Sequence, residues 1–349
     1  MAGQWRLGAR LWNAGLVRRI FVTGGAGFIG SNFIRYVLAT QPDVRVTNYD
    51  KLTYAGNRSS LRDVARDPRY AFVRGDICDG ERLAEALPGH DAVVNFAAES
   101  HVDRSIERSG DFILANCLGA NTLFNLAMRL EIQPFLHIST DEVYGSIPPP
   151  ASFREVDGLQ PNSPYSVSKA SADLLARAYR VTFGYPIIVT RTTNNFGPFH
   201  YPEKVIPLFV TNLLDGQKVP LYGTGANVRD WTYVLDNAAA QWLVLTQGQP
   251  GEVYNVGASN ELSNRELTER ILARFGLGEE MIQHVDDRPG HDLRYAVDTT
   301  KVRQLGWSPA HSFDEALDAT IDWYRANEWW WRPLKERGAS RRQGLVRRA

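Results

Sequence analysis

The 349-residue chain is 44% hydrophobic and 22% charged, enough apolar material for a full core and ordinary for a folded protein. Its 39 basic and 39 acidic residues leave no net charge, which excludes a general electrostatic hold on nucleic acid. Two cysteines outside any CxxC spacing exclude a disulfide framework and a metal centre, and no apolar run approaches the roughly 20 residues of a membrane helix.

Residues 1–18 are interrupted by Arg6, Arg10 and Arg18 and read as an extension ahead of the first strand, not as a secretory signal. With so few cysteines, a reducing, cytoplasmic setting is expected. Short apolar strand patterns fall at 19–23, 44–49, 70–73, 92–96, 135–138 and 187–191. Amphipathic stretches separate most of them; in 31–40, Phe33, Ile34, Val37 and Leu38 share one helical face. Alternating strands and helices predict an α/β fold, a Rossmann-like doubly wound parallel sheet over 19–192.

After Thr192 the rhythm changes, and Pro198, Pro202, Pro207, Gly216, Gly223 and Gly225 punctuate shorter segments. A smaller, interleaved α/β substrate-binding lobe is expected over 193–229 and 257–331. Residues 230–256 return to the first lobe, with a buried helix at 236–246. The stretch 263–275 reads as an amphipathic helix with Ser263 as N-cap and Glu266 three residues on. Trp329, Trp330 and Trp331 fit a C-terminal helix anchored to the body better than a sugar-stacking surface. Residues 332–349 read as a basic, frayed tail.

Between the first strand and first helix lies TGGAGFIG at 23–30, which satisfies GxGxxG through Gly25, Gly27 and Gly30 and GxxGxxG through Gly24, Gly27 and Gly30. Glycines there let a pyrophosphate approach the unpaired N–H groups of a helix N-terminus. Asp50 ends the second strand, where a carboxylate binds a ribose 2′-hydroxyl and repels a 2′-phosphate, so NAD is expected over NADP. Asp76, after the third strand, fits an adenine contact or a plain turn equally well.

Tyr165 and Lys169 stand one helical turn apart, an arrangement in which an ammonium favours a phenolate base. A strand ending in Ser139 and Thr140 precedes them. Together with the glycine loop, these four residues resemble the short-chain dehydrogenase/reductase superfamily, and the chain length resembles its extended branch. Asp141 and Glu142 follow directly. They suit an elimination that needs one group to remove a carbon-bound proton and another to protonate a leaving hydroxyl. They suit a solvated helix start equally.

The run STDEVYG at 139–145 resolves that choice by resemblance. With NFAAESHVDRS at 95–105, DKLTYAGN at 50–57, RDW at 229–231 and DRPGHD at 287–292, it resembles the dTDP-glucose 4,6-dehydratases, over about residues 19–324. The resemblance implies that Tyr165, helped by Lys169 and Thr140, takes the proton of the sugar 4-hydroxyl while C4 is oxidised by NAD. Glu142 then removes the C5 proton and Asp141 protonates the departing 6-hydroxyl. Hydride returns to C6, and NAD stays bound.

The same resemblance implies cofactor contacts at Gly24, Gly27, Phe28, Ile29, Gly30, Asp50, Lys51, Thr53, Asp76 and Ile77. Further contacts are implied at Ala97, Ala98, Ser100, Tyr165, Lys169 and Asn195. For dTDP-glucose it implies Ser100, Thr140, Asn194, Lys204, Val205, Pro220, Tyr222, Arg229, Asn264, Arg288 and His291. It implies no metal and no membrane or nucleic-acid partner. A homodimer is expected through a four-helix bundle built from broad apolar helix faces around 112–130 and 165–183, which could instead be buried within one chain. Two departures stand out: Ala115 replaces a common Thr or Ser near the nicotinamide ribose, and the segment from Gly145 to Tyr165 is short. Rival readings are a sugar-nucleotide 4-epimerase or a UDP-glucuronate decarboxylase on the same scaffold, or a non-catalytic NAD-binding regulator.

Overall fold

A computed structural model describes residues 17–287 and 290–346. Its strands are β1 (Arg19–Thr23), β2 (Arg45–Asp50), β3 (Tyr70–Arg74), β4 (Ala92–Asn95), β5 (Phe135–Thr140), β6 (Ile187–Thr192), β7 (Asn194–Phe196), β8 (Val219–Tyr222), β9 (Val228–Tyr233), β10 (Val253–Val256), β11 (Glu261–Ser263) and β12 (Ile282–Val285). Its α-helices are α1 (Phe28–Thr40), α2 (Gly80–Ala86), α3 (Val102–Glu107), α4 (Ser109–Phe112), α5 (Ala120–Arg129), α6 (Pro164–Phe183), α7 (Val205–Leu214), α8 (Val234–Gln247), α9 (Asn264–Arg274), α10 (Thr300–Gln304), α11 (Phe313–Ala326) and α12 (Glu328–Val346).

Seven strands form one sheet in the order β10-β6-β5-β4-β1-β2-β3, with every neighbouring pair parallel. The central strands β4, β5 and β6 are buried along their whole length because both faces are covered. On one face Phe33, Ile34 and Val37 of α1 meet Ala238 and Val244 of α8. On the other, Leu123 and Phe124 of α5 pack with Ala172, Ala176 and Tyr179 of α6. This is the doubly wound α/β fold expected from the strand–helix rhythm.

Helix α6 has strong local signals at both ends. Ser163 and Ser166 form a capping box, Pro164 sits in the first turn, and Gly184 ends the helix in the left-handed region. The chain before β5 is less regular than expected. Instead of one helix over 112–130, it runs through α3, α4, a π-helical stretch at Ile113–Gly119 and then α5.

The second lobe holds a three-stranded sheet, β11-β9-β7, and a two-stranded one, β12-β8. Its core gathers Phe209, Trp231, Leu267, Leu317 and Trp331. Ser263 caps α9 and Glu266 reciprocates, as the sequence pattern predicts. The interleaving is finer than expected. β9 pairs within the second lobe, so the chain returns to the first only at Val234. Within 257–331, Val302 and Trp307 pack into the first-lobe core.

The frayed tail expected from Arg332 is corrected, because α12 continues through Val346. Trp330, Trp331 and Leu334 are buried, and Arg332 and Lys335 reach Asp215 at the end of α7 at 3.0 and 2.7 Å. Trp330 and Trp331 therefore anchor a helix, and Arg332 and Lys335, which look like part of a tail, share an acidic partner. The expected N-terminal extension lies outside the described residues except for Val17 and Arg18.

Candidate active site

The phosphate loop is built from close backbone approach. Gly24 has φ +69°, and a Cβ there would lie 2.5 Å from the backbone nitrogen of Ala97; one on Gly30 would lie 2.5 Å from the Gly24 carbonyl oxygen. Gly27 is the N-cap of α1 and offers no side chain, so no side chain caps the first N–H groups of that helix. Asp50 is buried at the end of β2. Its two oxygens accept from Ala26 N at 2.9 Å and Leu52 N at 2.7 Å, and a carboxylate with two such bonds still has lone pairs for hydroxyls. Burial raises its pKa, and the two amides oppose that rise.

One cavity is lined by every residue for which a cofactor contact is expected, from Gly24 and Asp50 to Asn195. At its rim Lys51 pairs with Asp76 at 2.6 Å. Several buried polar atoms around it make no hydrogen bond, among them Ser139 Oγ, Asn195 Oδ1 and His200 Nδ1. A tight glycine cradle, a helix N-terminus, an acid at the end of β2 and unspent hydrogen-bonding capacity fit a dinucleotide. Ala115 is also in the lining, so the position lacking a hydroxyl does face the cavity.

Thr140, Asp141, Glu142, Tyr165 and Lys169 line the same cavity. All six residues of β5 are buried, and the chain then turns into a short 3-10 helix, Asp141–Tyr144, capped by Thr140 Oγ1 accepting from Glu142 N at 3.3 Å. Asp141 is 3% exposed. Its Oδ1 accepts from Thr140 Oγ1 at 3.2 Å, and its Oδ2 makes no hydrogen bond. Burial first, then the charge of Glu142, pushes its pKa up to about 8; Arg229 acts the other way and is outweighed. That shift favours the protonated form of Asp141 at neutral pH. The adjacent acids do not stand as a solvated helix start.

The expectation for Tyr165 needs correction. Its pKa is raised above the ordinary phenol value, by burial first and by Glu142 second, with a hydrogen bond from Thr140 opposing. The Lys169 ammonium donates to the Ile138 carbonyl at 2.6 Å. Burial brings Lys169 down to about 8, and Asp173, one turn further along α6, opposes that fall. Behind the pair, Asp173 is bound to Arg191 of β6 at 2.8 Å, with both side chains almost wholly buried. Arg191 also donates to Tyr144 at 2.7 Å. Removing one member of such a buried ion pair costs about 3–5 kcal/mol.

The residues expected at the substrate separate into two groups. Ser100, Thr140, Asn194, Lys204 and Val205 line the cavity with the catalytic set. Pro220, Tyr222, Arg229, Asn264 and His291 of the second lobe stand outside that lining. There Arg229 lies over the Tyr295 ring at 4.1 Å and donates to the Asp292 carbonyl at 2.9 Å. His291 bonds Asp287 at 2.7 Å, and its ring meets that of Tyr222 edge-on. Asn264 opens α9. Arg288 lies outside the described residues. Tyr54, Arg104 and Glu203 were not singled out from the sequence, yet they stack and pair beside the cavity. The first two lie inside motif runs that signalled them only collectively.

The family whose model matches residues 21–320 is described as GDP-mannose 4,6 dehydratase. A dTDP-glucose 4,6-dehydratase of Streptomyces niveus is 52% identical over 322 residues, covering 91% of this chain and 96% of the relative. Another, of Streptomyces antibioticus, is 51% identical over 326 residues, covering 92% and 96%. The crystal structure of DesIV, a dTDP-glucose 4,6-dehydratase from Streptomyces venezuelae with NAD and TYD bound, matches with a TM-score of 0.88 at 52% identity. It covers 90% of this chain and 99% of that one.

Because the folded chain keeps the Asp141 proton to about pH 8 while an unfolded carboxylate loses it near pH 4, Asp141 contributes stability below pH 4 that is lost as pH rises to 8. Asp141→Asn is expected to remove a few kcal/mol, on the order of one per pH unit, from the stability lost over that interval. Denaturant titrations at pH 4 and pH 8 check this, and equal losses in both proteins would contradict the protonated acid.

Proposed function

The chain belongs to the dTDP-glucose 4,6-dehydratase family, and from that premise we propose how its residues divide the reaction. The enzyme is an NAD-dependent hydro-lyase that converts dTDP-glucose to dTDP-4-keto-6-deoxyglucose and water. NAD, when bound, supplies the hydride acceptor and donor together with a cationic ring that favours a nearby phenolate. Tyr165 receives the proton of the sugar 4-hydroxyl, and Thr140 and Lys169 hold its oxygen and its charge. Oxidation at C4 acidifies the C5 hydrogen, which Glu142 removes. Asp141, protonated at neutral pH, donates its proton to the 6-hydroxyl, and water leaves. Reduction at C6 and reprotonation at C5 complete the turnover.

The observation that carries this reading is the buried Asp141, its Oδ2 without a hydrogen bond, beside Glu142 on the wall shared with Tyr165. Hydride transfer at C4 alone, as in epimerisation, has no use for a neutral acid next to a second carboxylate. Removal of water from C5 and C6 needs both.

We assign the adenosine end of NAD to Asp50, Asp76, Lys51, Thr53 and Ile77, and the nucleotide diphosphate of the substrate to Arg229 and His291. A diphosphate in a neutral protein needs such cations. A homodimer is the assembly we favour. Val167, Leu174 and Val181 repeat every seven residues on α6 and are exposed, and so are Ile106, Ile113, Leu114 and Leu118 on the neighbouring segment. A heptad-spaced apolar stripe left in water is the face a helix pair covers. Among the described residues no helix is long and apolar enough to cross a membrane. The two unpaired cysteines support a reducing, cytoplasmic setting.

Incubating dTDP-glucose with the protein, without added oxidant, should yield the 4-keto-6-deoxy product by NMR; dTDP-galactose in its place would establish the epimerase. Glu142→Gln should retain NAD but lower solvent-deuterium incorporation at C5 by about 10²–10⁴-fold, the range general base catalysis supplies. Undiminished exchange removes Glu142 from that role. In sedimentation velocity the protein should run as a dimer and Leu174→Glu as a monomer; a monomeric parent protein contradicts the stripe's assignment.

A further inference from the structure

Residues 198–204 link β7 to α7 of the second lobe and reach over to the first, and all but Pro202 are fastened. Asn32 of α1 donates to the Pro198 carbonyl at 2.9 Å. The Arg35 guanidinium sits 3.8 Å from the centroid of Phe199, whose other contacts are the rings of Trp323 and Trp330. The His200 ring stacks on Phe28 of the phosphate loop at 4.1 Å, and its carbonyl accepts from Tyr324. Tyr201 meets Tyr54 edge-on at 5.6 Å. Glu203 binds Arg104 at 3.1 Å, and Lys204 donates to the Ser100 carbonyl at 3.1 Å.

We propose that this segment is a strap that retains NAD through turnover, and that Arg104 and Glu203 are its fastening pair. The inference rests on the reading of the cavity as an NAD site. Phe199, His200, Tyr201, Glu203 and Lys204 line the same cavity as Gly24, Gly30 and Asp50, so the strap and the phosphate loop enclose one space. The fastening reaches three first-lobe segments that also line it: the phosphate loop through Phe28, the loop after β2 through Tyr54, and the loop after β4 through Ser100.

Arg104 ties two of these together. Its guanidinium lies 3.5 Å from the Tyr54 centroid while its Nη2 holds Glu203. The Glu203 side chain is 12% exposed, which shields the pair from the screening that weakens surface ion pairs. Phe199 holds φ +66°, a conformation a bulky residue adopts only when its surroundings fix it, and those surroundings are Arg35 and two tryptophans. The Trp330 indole also donates to Ser60 Oγ at 3.1 Å, just beyond the loop that carries Tyr54. The C-terminal helix thereby braces the strap from behind.

The reaction gives this arrangement a purpose. A cofactor that takes a hydride at C4 and returns it at C6 must not leave between the two steps. A strap that opens only when an ion pair and several ring contacts break slows departure without touching the reacting atoms.

The test is exchange of bound NAD for isotopically labelled NAD, followed by mass spectrometry of the released cofactor. Glu203→Gln and Arg104→Met should each exchange at least tenfold faster than the parent protein, and the swap Arg104→Glu with Glu203→Arg should recover at least half of that loss on a logarithmic scale. Arg35→Met, which acts on the strap from outside the cavity, should also accelerate exchange and serves if the ion-pair variants fail to fold. Exchange as slow as in the parent protein in any folded variant overturns the strap. A parent protein that neither purifies with NAD nor binds it overturns the cofactor reading instead.

Discussion

Burial of one carboxyl group at the end of β5 is the constraint on which the rest of the site depends. Asp141 is inside the protein, next to a second acid, and the opposing charge of Arg229 is outweighed. The cost of desolvating a charge therefore keeps the proton on. In water the same pair would be two carboxylates at pH 7, and neither could serve as an acid. The fold produces this condition by ending a fully buried central strand at a sharp 3-10 turn. β7 and β9 of the second lobe then continue the wall, with Asp230 of β9 itself raised to about 6 by burial.

The same desolvation acts against Tyr165 and Lys169. It raises the phenol and lowers the ammonium. Asp173, held by Arg191, limits how far Lys169 falls. The proposed catalytic set is thus tuned by its surroundings. Enclosing the cofactor between a glycine loop from the first lobe and a segment from the second links binding to the interleaving of the chain.

Much of this was legible in the sequence because it is local. Apolar strand runs, the glycine loop, Asp50, the helical-turn spacing of Tyr165 and Lys169, and the Ser263 cap all lie within a few residues of the elements they define. The sign of the Tyr165 shift was not legible, since desolvation sums over atoms from the whole fold and the Lys169 ammonium turns to a β5 carbonyl. Arg104 and Glu203, or Tyr54 and Tyr201, meet across long stretches of chain and leave no periodicity. The helical course of α12 was hidden because Arg332 and Lys335 read as part of a solvated tail until Asp215 is placed opposite them.

The role of Asp141 is tested most directly by changing the leaving group. With the 6-hydroxyl replaced by fluoride, departure needs no proton donor, while C4 oxidation and C5 proton removal are still required. The measurement is the elimination rate of Asp141→Asn on dTDP-glucose and on its 6-deoxy-6-fluoro analogue, each relative to the parent enzyme. A loss of about 10²–10⁴-fold on the hydroxyl substrate with a near-parental rate on the fluoride is the expected result. An equal loss on both would contradict Asp141 as the acid that releases water.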